Sequence, residues 1–567
     1  MDLTEIRETD IWTLYNKSVM YANKKGMYTQ VDKNNNFYNG DQWEGLLVEG
    51  IEPVQLNFIK PIVNYKTTKI TTNLRAINYS AENMEGEEFR LKCKQLCDLL
   101  NQRASRVWES DKLDTKIKKL VKMSAINGES IAYVTFDEEK NNPKVEILSL
   151  VDVYYGNEND SEIQNQPYII IKQRKPISEV KKIAEFYGVS KKKLEYIIGD
   201  NDNVEEAGTD AKEEVDDKCT LLTKFYKEDG VIKFSKATKY VDIKLDADSG
   251  YSLYPIAHMN WEDRIGNARG EGEVRCLIPN QIEVNKTIMR RILTAKNTAY
   301  PQKIYNRDKI ENPEAINTVG GVIEAHGMEV DDVNKVFATT RPAQMSSDVE
   351  KVQNELITTT RELASASETA TGQINPEAAS GRAILAVQQA SEMPLNDQNI
   401  SLNQFIEDIA RIWLDMWKVY NSEKGIELEN ITTDPRTGEE VMKKEKVNGN
   451  VLEKLSAIVK VDVTPKGAFD KYAQEISLEN LSKTEQFMNT SWLEDYVSLL
   501  DNDSVMPKIK LQELLKKRKE AQKRIQLIEA KGQMIQEQVQ QLMNTGAIMP
   551  REMEQYMGQP TPEQMLP

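Results

Sequence analysis

Residue types that commonly carry chemistry are sparse in this sequence. Among its 567 residues only two are histidines, His258 and His326, and neither has a Cys or a second His at the spacing of a metal site. Cys93 and Cys97 lie four residues apart in a helical pattern, which favours two small buried side chains. His258 stands close to Trp261, and we expect it to be a hydrogen-bonded core residue. The 90 Asp and Glu make acidic pairs too common to indicate a hydrolase.

Motifs for nucleotide and ester chemistry are also missing. The sequence has no Gly-Lys dipeptide, which excludes the phosphate-binding P-loop, and no Gly-x-Ser-x-Gly nucleophile elbow. Gly270 and Gly272 match two glycines of a dinucleotide fingerprint, but Arg275 stands at the third position and no strand-like run precedes them. We therefore predict a protein that is not an enzyme, with no catalytic residues, no cofactor and no bound metal.

The composition is that of a large acidic globular protein. Its 74 Lys and Arg against 90 Asp and Glu give a net charge of −16, which argues against a basic nucleic-acid coat. No apolar stretch approaches the roughly 20 residues that span a membrane, and the N-terminus carries no secretory signal. Four cysteines are too few for a disulfide scaffold and suit a reducing compartment. We expect synthesis in a cytoplasm and no membrane partner.

Hydrophobic periodicity predicts an α+β fold that is mostly helical. Helical segments show apolar residues at spacings of three and four, and strand-like segments are rich in β-branched and aromatic residues. The predicted helices, in chain order, are 1–35, 57–72, 85–127, 273–299, 346–366, 382–420 and a helical region from about 471, and the predicted strands lie within 131–175, 221–245 and 457–463.

Turn and breaker signals divide these elements. The first helical segment should end in a turn cluster at 32–36, and Asn127-Gly128 is a natural helix C-terminal cap. Pro394 should kink or break the long helix over 382–420. A hairpin signal lies at 434–438.

Several stretches have a distinctive composition. Residues 199–218 hold nine acids and two lysines and are interpreted as a solvated loop, with binding of a basic partner as the alternative. Residues 365–381 are small and polar, which is typical of a loop. Heptad spacing over 511–542 fits either coiled-coil packing or an ordinary amphipathic helix. The tail, 546–567, contains four Pro and four Met and is predicted to be disordered.

The segments follow the order helix, compact module, helix, small-residue loop and long kinked helix. This order, together with short motifs over roughly residues 35–420, resembles that of the portal proteins of tailed bacterial viruses. The motifs that carry this resemblance are Tyr38-Asn39-Gly40-Asp41-Gln42-Trp43, Ala125-Ile126-Asn127-Gly128-Glu129, Gly270-Glu271-Gly272-Glu273-Val274, Pro279-Asn280-Gln281-Ile282-Glu283-Val284-Asn285 and Asn375-Pro376-Glu377-Ala378-Ala379-Ser380-Gly381-Arg382-Ala383-Ile384.

The resemblance implies a structural head-tail connector. Identical subunits, usually twelve, would form a ring at one vertex of the capsid, and double-stranded DNA would pass through its channel during packaging and ejection. The implied partners are further copies of the chain, the terminase large subunit, head-completion or adaptor proteins, and the major capsid and scaffolding proteins. The implied location is the portal vertex of the virion, after assembly in the host cytoplasm.

The resemblance also implies a division of the chain into named regions. These are an N-terminal helical segment (1–35), an α/β wing (36–270), a stem helix (271–300), a clip (301–342), a second stem helix (343–367), a tunnel loop (368–381), a long kinked helix (382–420), wing strands (421–468), crown helices (469–545) and a disordered tail (546–567).

Two groups of residues are candidates for contact with DNA in the channel. The first is the tunnel loop, whose short neutral side chains would let a duplex slide, since each lysine–phosphate contact adds affinity and hence a sticking point; its members are Thr369, Thr371, Gln373 and Asn375. The alternative for this group is an ordinary surface loop. The second is a basic belt, formed by Lys286, Arg290, Arg291 and Lys296. Its alternative is that these side chains meet solvent or acidic residues of a neighbouring subunit.

Two other classes of protein compete with the portal interpretation. One is a different virion assembly protein, such as a scaffold or an adaptor, built on the helices and the C-terminal heptads. The other is a nuclease that uses clustered carboxylates and a divalent metal.

Overall fold

The computed structural model describes residues 7–43, 53–81, 87–200, 218–299, 303–318, 320–326, 337–339, 346–366, 393–422, 425–433, 440–447, 452, 455 and 457–464. The chain divides into two compact units, residues 1–464 and 465–567, and every described residue belongs to the first. The predictions for the tunnel loop, the crown, the heptad helix and the tail therefore lie outside the described residues.

Helices dominate the first part of the described chain. Thr9 caps the first of them, because its side chain accepts a hydrogen bond from the main-chain N–H of Trp12 at 3.3 Å. Buried aliphatic and aromatic residues then join most of the later helices into the largest core cluster. In chain order the elements are α1 (Asp10–Lys24), α2 (Met27–Asn39), α3 (Ile59–Thr72), the strand β1 (Leu74–Ala81), α4 (Glu87–Ser110) and α5 (Leu113–Asn127).

The predicted turn at 32–36 is wrong, because these residues lie inside α2. The chain turns earlier, at Gly26, which adopts a φ of 68° that other residues rarely take. Within α2, Asn34 is buried and accepts a hydrogen bond from Gln30 Nε2 at 2.8 Å, one helical turn away. Its turn-forming side chain is thus satisfied by a neighbour on the same helix face.

Antiparallel sheets follow, and all of their strands except β9 lie where strands were predicted. A three-stranded sheet has the order β3-β2-β9 and a five-stranded sheet has the order β4-β5-β6-β7-β8. Their strands are β2 (Glu129–Asp137), β3 (Asn142–Leu148), β4 (Val153–Tyr155), β5 (Tyr168–Pro176), β6 (Lys218–Glu228), β7 (Val231–Ala237), β8 (Asp242–Asp248) and β9 (Ile256–Asn260).

The predicted helix over 85–127 is split in two, since Lys112 adopts a φ of 52° between α4 and α5. Two short helices that the periodicity did not predict follow β5: α6 (Ile177–Phe186) and α7 (Lys191–Leu194). They pack on the five-stranded sheet through a separate small core that includes Val180, Ala184, Leu194, Cys219, Leu221 and Ile243.

The two helices predicted on either side of a compact module are confirmed. They are α8 (Glu273–Ala299) and α9 (Ser347–Leu363), and Ser346 caps α9 by accepting from the N–H of Asp348 at 3.2 Å. Between them lie the paired strands β10 (Lys303–Tyr305) and β11 (Phe337–Thr339).

The last described elements return to the core. Pro394 lies in a 3₁₀ turn, Met393–Leu395, that leads into α10 (Asn396–Asn421), whose Trp413 and Trp417 are fully buried. The hairpin signal at 434–438 connects β12 (Ile426–Thr433) with its antiparallel partner β13 (Glu440–Val447). The predicted strand near 457 is β14 (Ala457–Thr464), and it pairs with β1.

Candidate functional site

Helices α8 and α9 lie side by side and run antiparallel. Asn280 Nδ2 donates to Thr360 Oγ1 at 3.0 Å, and Arg291 Nη1 donates to Gln353 Oε1 at 2.9 Å. Residue numbers rise along α8 where they fall along α9, as antiparallel packing requires. The two helices form a hairpin, and the residues that connect them carry a small module.

The module at the end of this hairpin has its own small core. Ile310 and Ile316 are buried there, and Phe337 of β11 packs against them. The side chain of Asn312 fixes the loop, since its Nδ2 donates to the carbonyl of Val322 at 2.9 Å. His326 lies against Glu311 in the same module. The compact module predicted between the two helices is therefore present among the described residues.

The four residues of the predicted basic belt lie on the second half of α8. Arg290 contacts Glu283 of the same helix at 3.1 Å, and Lys286 reaches the same carboxylate at 3.9 Å. Arg291 contacts Glu350 of α9 at 3.4 Å. Lys296 is exposed in the last turn. Such exposed ion pairs contribute about 0–1 kcal/mol each, so these cations can exchange a carboxylate for another anion at little cost.

A buried ion cluster lies where the sheets meet the start of α8; we use this name for Glu129, Glu158, His258 and Arg269. The Arg269 guanidinium contacts the carboxylate of Glu129 and, at 3.1 Å, that of Glu158. His258 Nε2 lies 2.9 Å from Glu129 Oε2, so the prediction of a hydrogen-bonded core histidine is confirmed. Arg269 also donates to two main-chain carbonyls, Leu150 at 3.2 Å and Val153 at 2.8 Å.

Opposite charges decide the protonation of this cluster. Burial by itself raises the pKa of Glu129, but the guanidinium of Arg269 and the contacts with His258 outweigh burial and hold that pKa below its ordinary value of 4.5. Burial raises the pKa of Tyr155, whose ring lies 4.9 Å from the Arg269 guanidinium. Glu129 is therefore an anion that Arg269 neutralises within the protein interior, and it also has a hydrogen bond with His258.

The lowered pKa of Glu129 predicts a specific dependence of stability on pH. A carboxylate with a depressed folded-state pKa stabilises the fold above its unfolded value, and that contribution is lost as the pH falls through the folded value. We expect the difference in free energy of unfolding between wild type and Glu129→Gln to shrink as the pH falls from about 6 to about 3. Urea unfolding at a series of pH values measures it, and two parallel curves would contradict the prediction.

The glycines that match part of a dinucleotide fingerprint have a packing role instead. A strand, β9, does precede them, contrary to the sequence prediction. A Cβ on Gly270 would lie 2.5 Å from the carbonyl oxygen of Gly128, and one on Gly272 would lie 2.6 Å from that of Ile126. Both contacts are with the main chain at the end of α5. The two glycines therefore allow this backbone to approach the segment that starts α8.

The first residue of α8 is also held by a buried ion pair. Glu273 accepts from Lys66 Nζ at 2.7 Å and from the indole N–H of Trp261 at 3.3 Å. Both charged side chains are about nine-tenths buried. A carboxylate in the first turn also matches the helix dipole. The start of α8 is thus tied to α3 and to the residue after β9.

A chain of buried amides fixes the middle of α8 to the N-terminal region. Asn285 Nδ2 donates to Gln42 Oε1 at 2.7 Å, and Asn285 Oδ1 accepts from Gln281 Nε2 at 3.0 Å and from the N–H of Leu56 at 3.3 Å. Gln281 in turn accepts from the N–H of Phe58 at 3.1 Å. All three amide side chains are more than nine-tenths buried.

Asn285→Leu is expected to lower the free energy of unfolding by about 2–3 kcal/mol, because it leaves buried polar groups of its neighbours unsatisfied. The matched control is Asn297→Leu on the exposed end of the same helix, for which we expect a change within about 0.5 kcal/mol. Chemical denaturation followed by tryptophan fluorescence compares the two. Equal effects of both substitutions would contradict the role of the amide chain.

The tunnel-loop candidates Thr369, Thr371, Gln373 and Asn375 lie outside the described residues. The structure instead brings forward residues that sequence reasoning missed, above all Glu129 and Arg269. The sequence offers one indication for Glu129, namely a carboxylate at the start of an apolar strand. It offers none for Arg269, because the groups that Arg269 contacts are up to 140 residues away in the sequence.

The described residues give no indication of metal chemistry or of a membrane span. Within the ranges given above, no three His, Cys, Asp or Glu side chains are grouped to hold a metal ion. No helix in the part of the chain that the structure describes is long and apolar enough to cross a bilayer.

A helical hairpin with a small module at its end, beside antiparallel sheets, defines an α+β protein. The chain belongs to the Phage P22-like portal protein family, whose sequence model matches residues 150–559. It is thus a portal protein of the tailed-phage type, a structural family, and the portal resemblance is confirmed. The matched region includes α6 to α10 and begins after α5 and β3. No individual curated protein matches the chain.

Proposed function

We propose that identical copies of this chain form a ring, dodecameric as the resemblance implies, at one vertex of the capsid. Double-stranded DNA is packaged and later ejected through its channel. In this proposal α8 and α9 are the stem, and the module between them is the clip that docks the terminase large subunit and then the head-completion or adaptor proteins. The sheets form the wing, which faces the major capsid and scaffolding proteins. Assembly takes place in the host cytoplasm.

The observation that carries this proposal is the antiparallel pair α8–α9 with the module at its end. The pair is close to electrically neutral: α8 has five basic and two acidic residues, and α9 has two basic and four acidic residues. A wall with balanced charge supports sliding, because strong net attraction to phosphates would hold the duplex in place.

Electron microscopy of the purified full-length protein tests the ring, and we expect rings with a central hole. A monomer under all conditions, including capsid-assembly extracts, would refute the proposal. Deletion of 505–545 separates a portal from a scaffold or adaptor, because a coiled-coil scaffold loses all association whereas a portal retains its stem and wing contacts. A nuclease would cleave DNA in the presence of a divalent metal, and we expect no cleavage.

The basic belt gives a further prediction within this proposal. A variant with Lys286→Gln, Arg290→Gln, Arg291→Gln and Lys296→Gln is expected to form rings but to package DNA with a changed dependence on salt, since each phosphate contact that is lost removes a salt-dependent contribution. In vitro packaging at several salt concentrations measures this. A matched variant with glutamine at Lys118, Lys119 and Lys122 of α5 is the control. Identical salt profiles for the belt variant and wild type would exclude these residues from the channel wall.

The tunnel-loop residues Thr369, Thr371, Gln373 and Asn375 remain a proposal of the same kind. We infer that they contact the duplex through neutral groups. Lysine at two of these positions should then slow translocation by adding phosphate contacts. A normal packaging rate in that variant would place the loop away from the DNA.

A further inference from the structure

A basic part of the described chain lies away from the helical hairpin. Residues 168–200 and 218–248, which include α6, α7 and four strands of the five-stranded sheet, hold 15 Lys and Arg against 9 Asp and Glu, a net charge of +6. The whole chain has a net charge of −16. This module is therefore basic although the chain as a whole is acidic.

Four exposed lysines of this module form what we call the lysine surface: Lys182 on α6 and Lys191, Lys192 and Lys193 on α7. Among the described residues none of the four forms an ion pair with a carboxylate, although Lys193 interacts electrostatically with Asp242 at longer range. The acids on the same helices are Glu179, which is paired with Lys175 at 2.6 Å, and the exposed Glu185. This differs from α8, where Lys286, Arg290 and Arg291 all contact carboxylates.

The lysine surface has a rigid foundation. Val180 and Ala184 of α6 and Leu194 of α7 are buried against the sheet. The turn between the helices is fixed by the N–H of Val189, which donates to the carbonyl of Ala184 at 3.0 Å, and by Gly188, which has a φ of 80°. The cations are therefore presented together by two anchored helices, and an anion that binds them need not order a mobile segment.

We propose that the lysine surface binds the phosphate backbone of duplex DNA outside the channel. Lysine is a compact, flexible point charge that suits phosphate without reading sequence, and duplex DNA offers one negative charge per roughly 1.7 Å of axis. The proposal takes its ligand from the proposed function, since a portal works beside packaged DNA. Residues 201–217 hold eight acids and one lysine, and they lie outside the described residues.

Closed circular DNA separates this surface from the channel, because a circle without ends cannot thread a closed ring. We expect assembled rings to bind closed circular duplex at low salt. Replacing the four lysines with Gln should weaken that binding by about tenfold or more and reduce the slope of log affinity against log salt by about 3–4. The basic-belt variant is the matched control, and its binding to the circle should stay within about twofold of wild type.

Each result of the binding experiment either supports or overturns the proposal. Failure of wild type to bind the circle, or equal binding by the four-lysine variant, overturns the proposal, whereas packaging of linear DNA tests the channel separately. Phe186 on α6 is 84% exposed, and its substitution tests whether binding to this surface also needs an apolar contact. Phe186→Ser should leave binding to the circle within about twofold of wild type, because phosphate contacts do not need it. A loss as large as that of the lysine variant would contradict binding through phosphate contacts alone.

Discussion

Arg269→Met is expected to lower the free energy of unfolding by about 3–5 kcal/mol, the cost of removing one partner from a buried ion pair. The substitution keeps most of the side-chain volume but leaves Glu129, which is 2% exposed, and Glu158 without their cation. It also leaves the carbonyls of Leu150 and Val153 without a donor. Arg269→Lys keeps the positive charge but lacks the planar guanidinium, so its free energy of unfolding should lie between those of wild type and Arg269→Met.

Urea unfolding of the full-length protein, followed by tryptophan fluorescence, measures this effect. Arg264→Met is the matched control, because Arg264 is about half exposed and lies 3.6 Å from Glu271; it should cost less than about 1 kcal/mol. Adding Glu129→Gln to Arg269→Met should restore part of the stability, since it removes one unpaired buried charge. Strictly additive effects in this pair would show that the two side chains do not depend on each other.

Gly272→Ala is expected to cost about 3 kcal/mol, at the upper end of the range for overpacking. Its new Cβ would lie 2.6 Å from the carbonyl oxygen of Ile126 and 2.8 Å from the nitrogen of Gly128. Both are main-chain atoms at the end of α5, so no flexible side chain can move aside. The substitution should therefore separate the start of α8 from α5.

Gly266→Ala is the control for this substitution. Gly266 has a φ of 68° but no atom within 4 Å of a Cβ, so alanine there carries only the conformational cost of about 1 kcal/mol. If Gly272→Ala prevents folding, soluble yield and limited proteolysis still rank the two variants. Equal stability of both would show that the close approach of the two backbones is not required.

The helices could be predicted best where their apolar spacing and caps agree. The apolar spacing from Val274 to Ile292 placed α8 at 273–299, as observed. The predictions were wrong where one residue's main-chain conformation decided the outcome. Gly26 moved the first turn, and Lys112 divided a long helix. Periodicity does not encode such single positive φ values, although a glycine permits them.

The candidate site was less accessible to sequence reasoning. The basic residues of α8 could be named from their helical spacing, but the contact of Arg291 with Glu350 of α9 depends on how the two helices pack. The lysines of α6 and α7 were visible in composition, yet only the structure shows that they are exposed and form no ion pair among the described residues. Their exposure follows from Val180 and Leu194, which turn the opposite sides of these helices toward the sheet.

By itself the sequence determined the α+β alternation, the absence of nucleotide and zinc motifs, and the order of segments that resembles a portal protein, because these depend on residue type and local spacing. Tertiary structure alone decided that Arg269 neutralises Glu129, 140 residues away, and that β1 pairs with β14 across nearly the whole described chain. Such contacts form when distant segments fold against each other, and the burial that makes a charge depend on its partner exists only then.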